Sequence, residues 1–157
     1  MFDELVDKVL SLDFLLLLKR LGFNRLVLQH GKSRLPDWMK DGRNSVNTGI
    51  TIEAYDFKPS LQKDMKQSTH ILSHSGAGTI LDALYLHKPL LVVINESLMD
   101  NHQEDLATVL EDYLHHSRVE KIGESFEKLV SIGTESLQYF NPPNPSLMNQ
   151  ILLEAME

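Results

Sequence analysis

Cysteine is absent from the 157 residues, which excludes disulfides, thiolate nucleophiles and cysteine-ligated zinc and suits a reducing compartment. Basic residues are the minority: 15 Lys and Arg stand against 22 Asp and Glu, a formal charge of −7. A nucleic-acid surface needs clustered basic residues, so no nucleic-acid partner is expected. Long apolar runs are missing as well. The longest, Phe14-Leu15-Leu16-Leu17-Leu18, is bounded by Asp13 and by Lys19-Arg20, far short of the roughly 20 apolar residues that cross a bilayer. The start, Met1-Phe2-Asp3-Glu4-Leu5, is acidic and has no basic region of the kind that opens a secretory signal. No internal repeat is visible. With 42% hydrophobic residues, the chain is expected to form one domain over 1–157 with a real core.

The stretch that organises the rest is Ile71-Leu72-Ser73-His74-Ser75-Gly76-Ala77-Gly78-Thr79-Ile80-Leu81-Asp82. An apolar, strand-like entry meets a segment with two glycines, and Ile80, Leu81 and Leu84 then recur at helical spacing. Without Cβ atoms, Gly76 and Gly78 allow a sharp turn and a close approach by a ligand. The first N–H groups of the following helix have no partner within it, and with the dipole they form a phosphate site. The alternative is glycine placed there for turn geometry alone.

Elsewhere the pattern alternates strand and helix. Residues 2–21 read as one helix with Leu5, Val9, Leu12 and Leu16 on one face and Gly22 as its stop. Arg25 to Gln29 reads as a buried strand, 35–48 as a surface connection with a helical turn near Trp38, and Gly49 to Phe57 as a second strand. A short helix carrying Leu61 and Met65 precedes a strand over 69–73. Pro89 to Ile94 is a β-branched run suited to the middle of a parallel sheet. A helix starting at Asp100 to Gln103, a strand near Val119, a helix over 126–132 and a last helix from Ser146 follow. This alternation predicts an α/β, Rossmann-like doubly wound parallel sheet, with ligands at the carboxyl ends of its strands. Both 73–79 and 95–103 fall on that edge, so they are expected to face one pocket.

Asp82 is placed to accept hydrogen bonds from the hydroxyls of a bound sugar, or else to complement a helix dipole. Asp100 and Gln103 have capping-box spacing, yet an amide there also suits vicinal hydroxyls. His70 and His74 share a strand face and His115 and His116 are adjacent, but no set has the spacing of a metal site, so no metal and no cofactor is expected. Ser75 is not a nucleophile elbow, because Ser73 and Ala77 occupy the two glycine places of that pattern.

Three stretches together carry a resemblance: 71–82, then Lys88 to Gln103 with its Asn95-Glu96-Ser97-Leu98-Met99-Asp100-Asn101-His102-Gln103 segment, then Asn144-Pro145-Ser146. They resemble the catalytic subunits of the eukaryotic two-component UDP-GlcNAc transferase that adds the second GlcNAc to the dolichol-linked core. More distantly the chain is similar to the C-terminal, donor-binding half of bacterial GT-B GlcNAc transferases. The resemblance implies that Ser75, Gly76, Ala77, Gly78 and Thr79 hold the donor diphosphate, that Asp82 contacts the ribose, and that Asn101, His102 and Gln103 lie at the sugar, the last two reading the GlcNAc hydroxyls. It implies a cytosolic protein, recruited to the endoplasmic reticulum by a membrane-anchored subunit that binds the dolichol-linked acceptor, with 141–157 as a docking helix. No general base is implied by any residue here. One departure stands out: the family begins with a strand and a glycine loop before the Phe2-Asp3-Glu4-Leu5-Val6 helix. A sheet lacking that strand, normally central, is expected to leave two edges unpaired or to close up, and a catalytically inactive, partner-binding module is the alternative reading.

Overall fold

The computed structural model describes residues 3–40, 48–74, 77–94 and 115–132, with Lys40, Ala77 and Gly78 described by backbone alone. The helix expected from Asp100 and the docking helix expected over 141–157 lie outside these residues. The chain divides into two compact units, Met1–Leu61 and Gln62–Glu157.

The first unit opens with α1 (Asp3–Val9) and α2 (Leu12–Arg20), two helices where the periodicity predicts one. Ser11 makes the break. Its backbone is extended (φ −67°, ψ 149°), its hydroxyl donates to the Lys8 carbonyl at 2.7 Å, and its Oγ accepts from the Phe14 N–H at 3.3 Å. A serine that satisfies one helix end and caps the next favours a new start over continuation. The break also resets the phase. Phe14, Leu15 and Leu18 become the buried stripe of α2, whereas Leu12 and Leu16, expected on the core face, are 52% and 49% exposed. Gly22 ends α2 as expected, at φ +95°, with its N–H on the Lys19 carbonyl and the Phe23 N–H on that of Leu18, the arrangement that favours glycine after a helix.

Strand β1 (Arg25–Gln29) pairs in parallel with β2 (Thr51–Tyr55), from Arg25 opposite Thr51 to Gln29 opposite Tyr55. The helical turn expected near Trp38 is α3 (Asp37–Lys40). The two-stranded ladder runs slightly past the strands, since His30 and Gly31 donate to the Tyr55 and Asp56 carbonyls. No residue of either strand is fully buried.

The second unit holds α4 (Gln62–Gln67), β3 (Ile71–His74), α5 (Ala77–Tyr85), β4 (Leu90–Ile94), β5 (His115–Arg118), a 3-10 turn (Val119–Lys121) and α6 (Ile122–Ile132). Its strands form a parallel sheet in the order β3-β4-β5. The central strand is the β-branched run, as predicted, and all five of its residues are buried. The strand expected near Val119 lies just before it, because Val119 has already turned into the 3-10 segment. Over the sheet, α6 presents Ile122, Phe126 and Leu129, all buried, at the spacing of one helix face. Helix α5 ends with His87 in the left-handed region (φ 55°), and Pro89 then prevents its continuation.

Every described strand pair is parallel and every described connection between paired strands contains a helix or runs through undescribed residues. The architecture is Rossmann-like α/β. Its five described strands form two sheets rather than one, since β1 is paired with β2 and β3 with β4.

Candidate functional site

The exits of β3 and β4 define the site. His74 is in register with Val93, and Ile94 with Arg118 of β5, so the chain leaves β3 toward residue 75 and leaves β4 toward residue 95 from the same carboxyl edge. Adjacent parallel strands stand about 4.8 Å apart. The two stretches predicted to share a pocket therefore depart from neighbouring points.

Of the predicted diphosphate turn, Ser75 and Gly76 lie outside the described residues, as do Asn101, His102 and Gln103 at the predicted sugar end. Ala77 and Gly78 are the first two residues of α5, so Gly78 belongs to the helix's first turn rather than to the loop before it. The backbone amides of that turn have no acceptor within the helix, and their dipoles point out of it toward the sheet's carboxyl edge. Thr79 follows half-buried, while Ile80, behind it, is fully buried and fixes the helix to the core. Asp82 is exposed. It is the sixth residue of α5, whose first turn contains no acid, and a dipole effect fades beyond the first turn. Complementing the helix dipole therefore does not explain Asp82. Thr79 and Asp82, three residues apart, lie on the same side of α5.

Sequence reasoning gave no role to His74. It is the last residue of β3 and its side chain is exposed at the carboxyl edge. Partial desolvation holds its imidazole below the ordinary histidine value, in the neutral form at pH 7. The signal available was its position directly before the glycine segment. Behind it, Ser73 is buried and its hydroxyl donates to the His74 carbonyl at 2.7 Å, which commits Ser73 to the backbone rather than to chemistry.

A cavity of about 340 Å³ in the first unit is lined by Asp3, Asp7, Arg34, Leu35, Pro36 and Asp37. None of these was singled out from the sequence. Three carboxylates against one guanidinium make it repellent to a diphosphate. No group of three or more potential metal ligands occurs among the described residues, and among them no helix is long and apolar enough to cross a membrane.

Parallel strands joined through helices, with α5 starting at the carboxyl edge of its sheet, place the chain in the Rossmann-like α/β class. Within it, the family described as "Glycosyltransferase family 28 C-terminal domain" matches residues 1–150. The chain belongs to that family, and the match runs through both units. It is similar to the UDP-N-acetylglucosamine transferase subunit ALG13 of Mus musculus, 43% identical over 109 residues, which cover 69% of this chain and 9% of the mouse protein. The subunit of the same name from Cryptococcus neoformans is 29% identical over 183 residues, covering 99% of this chain and 92% of that one. Among solved structures, an NMR solution structure of ALG13 superposes with a TM-score of 0.68 at 29% identity, covering 100% of this chain and 92% of the other. The chain thus spans less than a tenth of the mouse relative and nearly all of the fungal one.

Proposed function

We propose that this chain is the donor-binding, catalytic subunit of an inverting glycosyltransferase that moves GlcNAc from UDP-GlcNAc to dolichyl-diphosphate-GlcNAc, the second step of lipid-linked oligosaccharide assembly. The observation that carries the reading is the common edge from which β3 and β4 release their chains, with the free amides of α5 opening onto it. The names of its relatives, each a UDP-N-acetylglucosamine transferase subunit, support the donor and a divided enzyme. In this reading the donor-binding domain extends over 1–157.

The acceptor hydroxyl oxygen forms a bond to C1 of GlcNAc as the bond from C1 to the diphosphate oxygen breaks, and the hydroxyl proton passes to a base on the acceptor side, supplied by the partner subunit. The electron pair leaves on the β-phosphate. Backbone N–H groups at Ser75, Gly76, Ala77, Gly78 and Thr79 hold that diphosphate and stabilise its developing charge by preorganised dipoles. Asp82 accepts from the ribose hydroxyls, and Asn101, His102 and Gln103 orient GlcNAc. A membrane-anchored partner subunit supplies the acceptor side, receives the 141–157 helix and brings the protein to the cytosolic face of the endoplasmic reticulum. Transfer of GlcNAc measured in the partner's presence is expected to fall at least 100-fold in Asp82→Ala and in Gln103→Ala. Undiminished turnover in both removes the assignment.

One observation favours a second reading, a partner-binding module without turnover: the described strands form two sheets, with β1 and β3 each paired on one side. Co-purification with the partner together with no calorimetric signal from UDP-GlcNAc would support that module and reject the enzyme.

A further inference from the structure

Side chains alternate along a strand, and residues in register across parallel strands share a face, so the second sheet sorts its residues into two sets. His70, just before β3, meets Phe126 of α6 edge-on, with centroids 6.0 Å apart and planes at 64°. His115 of β5, whose Nε2 is buried with no hydrogen-bond partner, is held below the ordinary histidine value by burial and then by Lys128 of α6. The face of His115 is therefore the α6 face, and by register it includes Leu72, Leu91, His74, Val93 and Ser117. On the opposite face lie Ser73, Leu90, Val92 and Ile94, all buried, and the other described helix packed on β3 and β4 is α5. That face belongs to α5. Arg118, the last residue of β5, is in register with Ile94 and so lies on the α5 face, exposed, at the carboxyl edge. His74 lies on the other face.

We propose that Arg118 is a further donor-binding residue: its guanidinium holds the β-phosphate of UDP-GlcNAc from the β5 side while the first amides of α5 hold the diphosphate from the β3 side. Its part rests on the donor reading given above. Strands β3 and β5 stand two spacings apart, about 10 Å, with the exit of β4 between them. In that reading the diphosphate is anchored at the start of α5 and its sugar extends toward 95–103, so the sugar-bearing phosphate is the one carried across the β4 exit toward Arg118. Charge favours the contact. The first turn of α5, Ala77-Gly78-Thr79-Ile80, has no cationic side chain, and its amides supply only partial charge. A guanidinium is permanently charged, and its planar fork matches a pair of phosphate oxygens. Arg118 already interacts within the protein, and five N–H donors allow it a second partner. Ser117 donates its hydroxyl to the Arg118 carbonyl at 2.9 Å, which secures the backbone from which this side chain leaves.

Calorimetric titration of the full chain with UDP and with UMP tests the contact, because only UDP carries the β-phosphate. Arg118→Gln is expected to weaken UDP binding at least tenfold, the size of a lost charge-assisted hydrogen bond, and UMP binding less than threefold. Arg118→Lys keeps the charge and loses the fork, and for UDP it is expected to fall between Arg118→Gln and the unaltered chain. A residue that only supports the fold would weaken both ligands alike, so an equal loss for UDP and UMP overturns the proposal. UDP binding by Arg118→Gln within threefold of the unaltered chain also overturns it, and leaves the donor reading in place. Where Arg118→Gln does not fold, Arg118→Lys decides, and an unchanged ratio of UDP to UMP affinity is the contrary result. If the unaltered chain takes up neither UDP nor UDP-GlcNAc, the donor reading itself fails and the role of Arg118 with it.

Discussion

The two parallel sheets of this protein use the same backbone ladder and reach different degrees of burial. In β4 all five residues are buried, with Leu91, Val92 and Val93 at 0% exposure. In β1 and β2 no residue is. A parallel strand becomes a core strand when it has a neighbour on each side and a helix over each face. Strand β4 has β3 and β5 beside it, with α5 and α6 packed on it. Among the described strands, β1 and β2 are paired with each other alone. Leucine and valine in the sequence therefore do not predict burial by themselves; the number of neighbours does. The same contrast shows in polar residues, since the two-stranded sheet carries an exposed ion pair, Arg25 with Glu53, and Lys58 set over the Tyr55 ring at 4.0 Å.

This comparison can be broken or sharpened by substitution, with unfolding in urea as the measurement. The largest effect is expected at the centre of the second sheet: Leu91→Ala should cost about 2 to 5 kcal/mol, the range for emptying a closed core site, while Leu26→Ala in half-buried β1 should cost clearly less. Equal costs would mean that the two sheets are equally enclosed. Next comes the helix break of the first unit. Ser11→Ala should cost about 1 kcal/mol through the lost cap of α2, and a neutral result would show that the break does not depend on the serine. Smaller still is the exposed pair: Glu53→Gln should cost less than about 1 kcal/mol and lose that effect in high salt. Least of all, Leu16→Gln on the exposed side of α2 should change stability by no more than about 0.5 kcal/mol, whereas Leu15→Ala, one position away and fully buried, should match Leu91→Ala.

Acid adds a further distinction between the units. His70, His74 and His115, all held low by desolvation, belong to the second. Falling pH below about 6.5 should thus destabilise the second unit, and a fluorescence or exchange titration in which the first unit fails earlier would contradict that assignment.

The site was legible where it depended on local chemistry. Two glycines between an apolar strand and a helical repeat are enough to announce a strand, a turn and a helix start, and α5 begins at Ala77, inside the motif. That β3 and β4 end on one carboxyl edge also followed from alternation of strand and helix, since right-handed crossovers return parallel strands pointing the same way. His74 escaped because a histidine in a strand carries no periodic signal; its exposure depends on where the strand ends. Asp82 was left between two roles, and only the start of α5 at Ala77 moved it out of the first turn.

The sequence by itself determined the element types, the centrality of β4 and the stop at Gly22, because these rest on backbone sterics, β-branched packing and spacing within a few residues. The tertiary structure alone decided which leucines of the Leu12 to Leu18 run face the core, that β1 and β2 stand half-buried, and that His115 hides an unpartnered nitrogen. Those outcomes depend on what lies opposite each side chain across the fold, and that is set by residues distant in sequence.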